Sequence, residues 1–113
     1  QDLLGSAREI NGVKVLCTRV DVGDPKALRD IGDRLREKLG SGVLVLAGAE
    51  GDRLTLLAMV SKDLTGRIDA GRLMREIATI VGARGGGKAD LAQAGGGDPE
   101  RLEEAFRRVY ELI

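Results

Sequence analysis

VLVLAGAEGDRLTLLAMV, residues 43–60, decides the fold. Val43 to Ala47 and Leu54 to Val60 are nearly continuous apolar runs on either side of the turn-forming Glu50-Gly-Asp-Arg53. Runs this short and rich in Val and Leu, divided by Gly and Asp, read as strands. A strand that is apolar on both faces is buried from both sides. The stretch therefore predicts an antiparallel hairpin at the centre of a sheet, with helices packed over it.

Toward the N-terminus, Ala7-Arg-Glu-Ile10 and Val13 to Val20 flank Asn11-Gly12, the dipeptide that most favours a two-residue hairpin turn. Asp24-Pro25 then caps and opens a helix whose Leu28, Ile31, Leu35 and Leu39 share one face before Gly40 ends it. Toward the C-terminus, Asp69 caps a second helix reaching Val81, with Ala70, Leu73, Ile77 and Ile80 inward and Gly82 as its stop. A glycine-rich surface loop follows, containing a short strand from Ala89 to Ala94. Asp98-Pro99 opens a last helix with the stripe Leu102, Phe106, Val109 and Ile113. The expected fold is a single α/β domain with a mixed central β-sheet and packed helices, in the order β-β-α-β-β-α-β-α. Residues 7–113 form the globular unit, and residues 1–6 stand outside it.

The 113 residues suit one core and one domain, and the chain, which starts at Gln1, reads as a piece of something longer. Its 18 cations and 18 anions cancel, which argues against a strongly basic nucleic-acid binder. The charges are unevenly spread. Residues 62–88 hold six cations against three acids, and residues 90–113 hold six acids against three arginines. Phe106 and Tyr110 are the only aromatic residues, so any RNA contact is expected to run through phosphate and sugar rather than stacked bases. One cysteine, Cys17, and no histidine exclude an internal disulfide, a zinc cluster and histidine acid–base chemistry. Cys17 sits in an apolar run and reads as core. No cofactor or metal is expected. No apolar run approaches the ~18 residues of a membrane span, and the expected compartment is the cytoplasm.

The candidate site is the segment from Gly82 to Gly97. Glycine is costly to order, so this density fits bare backbone that approaches a partner closely. Exposed N–H groups beside Arg84 and Lys88 suit an anion. Gly82, Gly87 and Lys88 match the spacing of a nucleotide-binding P-loop, but Ala89 stands where magnesium needs a hydroxyl and the segment follows a helix. A P-loop is therefore rejected. The candidate binding residues are Lys62, Thr65, Arg84, Gly85, Gly86, Gly87, Lys88 and Gln93, with no catalytic residue among them. Asp90 reads as an acceptor for loop N–H groups.

Three blocks together resemble the C-terminal domain of the alanyl-tRNA synthetase family: Ile10-Asn-Gly-Val-Lys-Val-Leu, Lys62-Asp-Leu-Thr-Gly and, most specifically, Gly85-Gly-Gly-Lys-Ala-Asp-Leu-Ala-Gln-Ala-Gly-Gly. The similarity runs from about Ala7 to the end. The family's loop has Arg-Pro-Asp-Met-Ala-Gln-Ala, whereas Lys88, Ala89 and Leu91 replace its Arg, Pro and Met here; charge survives, but the guanidinium fork does not. The resemblance implies the globular part of a DHH-associated domain, with residues 1–6 as the remnant of an upstream helical segment or linker. It implies that the domain contacts the tRNA elbow, which makes the candidate residues RNA-binding, and helps couple aminoacylation with editing. It also implies a parent that is an alanine–tRNA ligase, with tRNA-Ala and that parent's catalytic and editing domains as partners. DHH phosphoesterases use the same fold to bind substrate, typically with a histidine where this chain has Lys88. A protein-interaction module whose glycine segment binds nothing is the third alternative.

Overall fold

In the computed structural model, which describes residues 3–113, the first turn fixes one edge of the sheet. Asn11 and Gly12 adopt φ of 51° and 80°, the doubly left-handed geometry of a type I′ hairpin. They join β1 (Arg8–Ile10) to an antiparallel β2 (Val13–Arg19). Asp24 caps α1 (Pro25–Leu39), its carboxylate accepting the Ala27 N–H at 3.0 Å. The helix carries the chain back, so β3 (Val43–Glu50) lies parallel to β2. β4 (Arg53–Val60) then pairs antiparallel with β3.

A 3₁₀ turn over Lys62–Leu64 leads to α2 (Ala70–Val81). Asp69 accepts the Arg72 N–H at its start, and Gly82 closes it in left-handed geometry with φ 81°. β5 (Arg84–Gly87) and β6 (Leu91–Gly95) follow. A further 3₁₀ turn, Pro99–Arg101, runs into α3 (Leu102–Leu112). The six strands form one mixed sheet in the order β1-β2-β3-β4-β6-β5.

Alternation of side chains along β3 and β4 builds a core on each face. Leu44, Leu46, Leu57 and Met59 meet Leu28 and Leu35 of α1 on one side. Val43, Val45, Leu54, Leu56 and Ala58 meet Leu73, Met74 and Ile77 of α2 and Ala105 and Val109 of α3 on the other. Each fully buried Leu, Ile or Met there is stabilising by about 1.5–3 kcal/mol.

Three expectations are corrected. The glycine-rich segment is not a surface loop throughout: Arg84–Gly87 form edge strand β5, so the order is β-β-α-β-β-α-β-β-α. Three glycines offer no side chains to alternate, and the strand pattern is invisible without them. The strand expected from Ala89 begins instead at Leu91, because Ala89 and Asp90 form the turn closed by the Lys88 N–H on the Leu91 carbonyl at 2.7 Å. In α2 the buried stripe is wider than Ala70, Leu73 and Ile77. Met74 is fully buried, whereas Ile80 is only partly so. Of the segment 1–6, residues 1 and 2 lie outside the described residues, and Leu3–Ser6 make a 3₁₀ turn beside β2.

Cys17 is a core residue, as its apolar setting predicted. Burial pushes its thiol up to about 12, with the Tyr110 hydroxyl and the Arg8 charge opposing. The folded state thus holds the thiol proton more tightly than the unfolded chain, whose value is near 9. This contribution is complete below about pH 9 and is lost as pH rises toward about 12. Thermal melting should fall between pH 9 and 11, and Cys17→Ala should flatten that slope while lowering the plateau. An unchanged slope in the variant would refute the assignment.

Candidate nucleic-acid interface

The sheet is wider than the helix on one of its faces. α1 lies against β3 and β4, whereas α2, on the opposite face, reaches β4, β6 and β5. The α1-side face of β6 and β5 is therefore an open ledge. Cross-strand partners share a face, and the register names the residues on it. Leu57 and Met59, both in the α1-side core, stand opposite Gln93 and Leu91. Gln93 stands opposite Gly86, and Gly95 opposite Arg84. Lys88 meets Leu91 across the turn. Arg84, Gly86 and Lys88 thus alternate along the outer strand as cation, bare backbone and cation. The two charges are separated by roughly 13 Å of strand, at ~3.3 Å per residue.

The glycines of β5 differ in what holds them. A Cβ on Gly85 would lie 2.1 Å from the Gln93 carbonyl oxygen and 2.4 Å from the Ala94 Cα. A Cβ on Gly87 would lie 2.3 Å from the Leu91 oxygen and 2.5 Å from the Ala92 Cα. Both are compelled by the neighbouring strand. Positive φ is not the reason, since the left-handed glycines lie outside β5, at Gly82, Gly96 and Gly97 among others. Gly86 alone of the three has nothing within 4 Å of the place a Cβ would take, and its φ is not left-handed. Its bareness serves neither packing nor dihedral geometry.

The turn beyond β5 is held rigidly. The first N–H groups of α2 do not face solvent: Ala70 donates to the Ala89 carbonyl at 2.8 Å and Gly71 to the Lys88 carbonyl at 3.0 Å. On the other side, Val60 donates to the Asp90 carbonyl at 3.0 Å. Asp90, expected to accept through its side chain, thus fixes the turn through its main chain. Lys88 is exposed on this anchored turn.

The remaining predicted residues spread around this frame. Lys62 follows β4 at the Lys88 end of the ledge, in a groove it lines with Asp33, Arg36, Glu37 and Ser61 beside the end of α1. Thr65 is not a free donor, because its hydroxyl is spent on the Lys62 carbonyl at 2.9 Å. Asp63 beside it is held below the usual carboxylate range by the Ser41 and Ser61 hydroxyls and so stays charged. Arg84 lies at the far end of the strand, next to Arg75 and Thr79 of α2. Lys62, Arg84 and Lys88 make no ion pair among the described residues. The register therefore puts Arg84, Gly86, Lys88 and Gln93 on one face, with Arg84 at the strand edge where it also borders α2, and it leaves Lys62 beside the end of α1 and Thr65 on the turn after β4.

Arg53 was missed. It lines a cleft of about 320 Å³ with Gly23, Pro25, Thr55, Gln93 and Gly95, at the inner border of the ledge. The Thr55 hydroxyl donates to the Gly23 carbonyl at 2.6 Å and closes the floor, leaving Arg53 and Gln93 as the polar walls. Only the pairing of Thr55 with Gly95 brings them together. The one local signal was a cation at the head of an otherwise apolar strand.

Comparison with known proteins gives the family. A family model described as the DHHA1 domain matches residues 12–113. An alanine–tRNA ligase of Desulfosudis oleivorans is 50% identical over 95% of this chain, and one of Anaeromyxobacter dehalogenans is 50% identical over 98%. The chain spans 12% of the length of each of these relatives. The crystal structure of the C-Ala domain from Aquifex aeolicus alanyl-tRNA synthetase superposes with a TM-score of 0.87 at 28% identity, covering 95% of this chain and 96% of that one.

The contrast between Gly86 and Gly87 is directly testable. Gly87→Val should force the strands apart, at a cost of about 1–3 kcal/mol, and lower the melting temperature by roughly 5–10 °C. Gly86→Val meets open space and should stay within ~0.5 kcal/mol of the parent. Equal melting of the two variants would contradict the edge-strand geometry.

Proposed function

The chain belongs to the DHHA1 domain family, and from that membership we propose that it is the non-catalytic tRNA-binding domain of an alanine–tRNA ligase. The observation that carries this reading is the near end-to-end correspondence with the Aquifex C-Ala domain. In this reading the ligase works in the cytoplasm, and the domain holds tRNA-Ala by its elbow for the catalytic and editing domains of the same parent chain. A tether of this kind raises the effective concentration of one RNA near two distant sites, so modest affinity suffices. Net neutrality of the chain is then compatible with RNA binding, because the charge is needed only locally.

The ledge is the surface we assign to the RNA. Arg84 and Lys88 bind phosphates, Gly86 lets a ribose or phosphate lie close to the strand, and Gln93 with Arg53 hydrogen-bonds a sugar or base at the inner border. Lys62 extends the cationic margin at the Lys88 end. Gly85 and Gly87 contribute by keeping the strand flat rather than by contact. Thr65 contributes by ordering the Lys62 turn. The phosphoesterase alternative is set aside because its typical histidine is replaced by Lys88 and the chain holds no histidine.

Binding of tRNA-Ala to this domain, measured across a salt series, should give a log–log slope equivalent to about two to four neutralised phosphates, at ~0.9 per phosphate. Lys88→Ala should weaken binding and flatten the slope by about one unit, with melting unchanged. Gly86→Val should weaken binding at an unchanged slope. Parental binding by both variants while folded would remove the ledge from the RNA interface.

A further inference from the structure

The two aromatic side chains, too few for a stacking platform when counted in the sequence, are gathered in one place. Phe106 and Tyr110 are one turn apart on α3 and line a cleft of about 310 Å³ together with Arg8 of β1, Cys17 of β2, Glu103 and Arg107. β1 and β5 are opposite edges of the six-stranded sheet. At ~4.8 Å per strand spacing the cleft lies roughly 24 Å from the ledge. It is a separate site.

The charged groups around it keep their hydrogen-bonding edges free of ion pairs among the described residues. The Arg8 guanidinium stacks over the Tyr110 ring at 4.5 Å from its centroid. Stacking uses the face of the guanidinium and leaves its in-plane N–H fork available. Arg8, Arg107 and Glu103 take part in no ion pair among the described residues. Both rings are only partly buried, and the thiol on the floor is held neutral by burial. Two guanidinium forks suit a multiply charged phosphate, an aromatic wall suits a planar ring, and a carboxylate at the rim suits a hydroxyl or exocyclic amine. The volume is at the lower end of small-ligand pockets, the size of a single nucleotide.

We propose that this α3–β1 cleft binds one nucleotide, its phosphate between Arg8 and Arg107 and its base against the Phe106 ring, beside the Tyr110 ring that Arg8 covers. The nucleotide is either free in solution or an unpaired residue of an RNA strand; the recognising chemistry is the same. The proposal does not depend on the ledge, and the test separates the two.

Tyr110 is the only tyrosine and the chain has no tryptophan, so ring-labelled tyrosine gives a single NMR signal that reports this cleft alone. The protein is titrated with uridine 5′-monophosphate, with uridine and with inorganic phosphate. The monophosphate should shift the signal saturably, and uridine and phosphate should each bind about tenfold more weakly, as expected for losing one charge-assisted contact or the stacked ring. Arg107→Gln should weaken the monophosphate about tenfold without changing melting, and Lys88→Ala on the ledge should leave it unchanged. A single-stranded uridine hexamer binding at least as tightly as the monophosphate assigns the cleft to RNA, and weaker binding assigns it to a free nucleotide. No shift with 10 mM monophosphate, equal binding of inorganic phosphate, or indifference to Arg107→Gln would overturn the proposal.

Discussion

Eight antiparallel residue pairs lock β3 to β4, from Val43 with Val60 to Glu50 with Arg53. Every residue from Leu54 to Val60 is buried, so this hairpin presents apolar surface to both sides at once. Water must be excluded from both faces, and helices on each side are the available cover. α1 supplies one cover and α2 with α3 the other. The placement of everything else follows, including which strands are left bare. Because α1 is centred on β3 and β4, the sheet extends past its cover along the outer part of β6 and at β5, and the ledge is what remains.

The ledge owes its character to a division of labour among glycines. Gly85 and Gly87 must be glycine because of the strand beside them, whereas nothing within the described domain requires Gly86 to lack a side chain. The turn at Ala89 and Asp90 is clamped between the start of α2 and the end of β4. A bare strand would ordinarily fray, and the clamp keeps its charged flank at Lys88 in a fixed place. Preorganised main chain of this sort spends its entropy at folding rather than at binding.

Most of the architecture was legible in the sequence because it is written in side chains. The two-faced apolar runs, Asn11-Gly12 and the Asp caps at Asp24 and Asp69 each carry a local physical instruction that the structure follows, and Asp98 caps the 3₁₀ turn that leads into α3. β5 was not legible, since Gly85 to Gly87 have no pattern to show, and its strand character comes from pairing with β6. Arg84, Lys88 and Gln93 were singled out from the composition of their segment, but that they alternate along paired strands came only from the register. Arg53 and the gathering of Arg8 with Phe106 and Tyr110 depend wholly on long-range pairing, which no local reading supplies. The hydroxyl of Thr65 is committed to the Lys62 carbonyl, a local bond that the sequence did not announce.

The strand order has a consequence in time as well as in space. β6 is the last strand in the chain, yet it sits between β4 and β5. Until residues 91–95 have docked on β4, the glycine edge has no ladder to join. Contacts that close large loops form late, because the chain pays loop entropy before any pairing rewards it. The outer strand is therefore among the last parts to assemble and the first to open. Amide exchange should be fastest along Arg84–Gly87 within the sheet, and a partner seated on that edge would slow it from outside, acting as the cover that α1 is too narrow to provide.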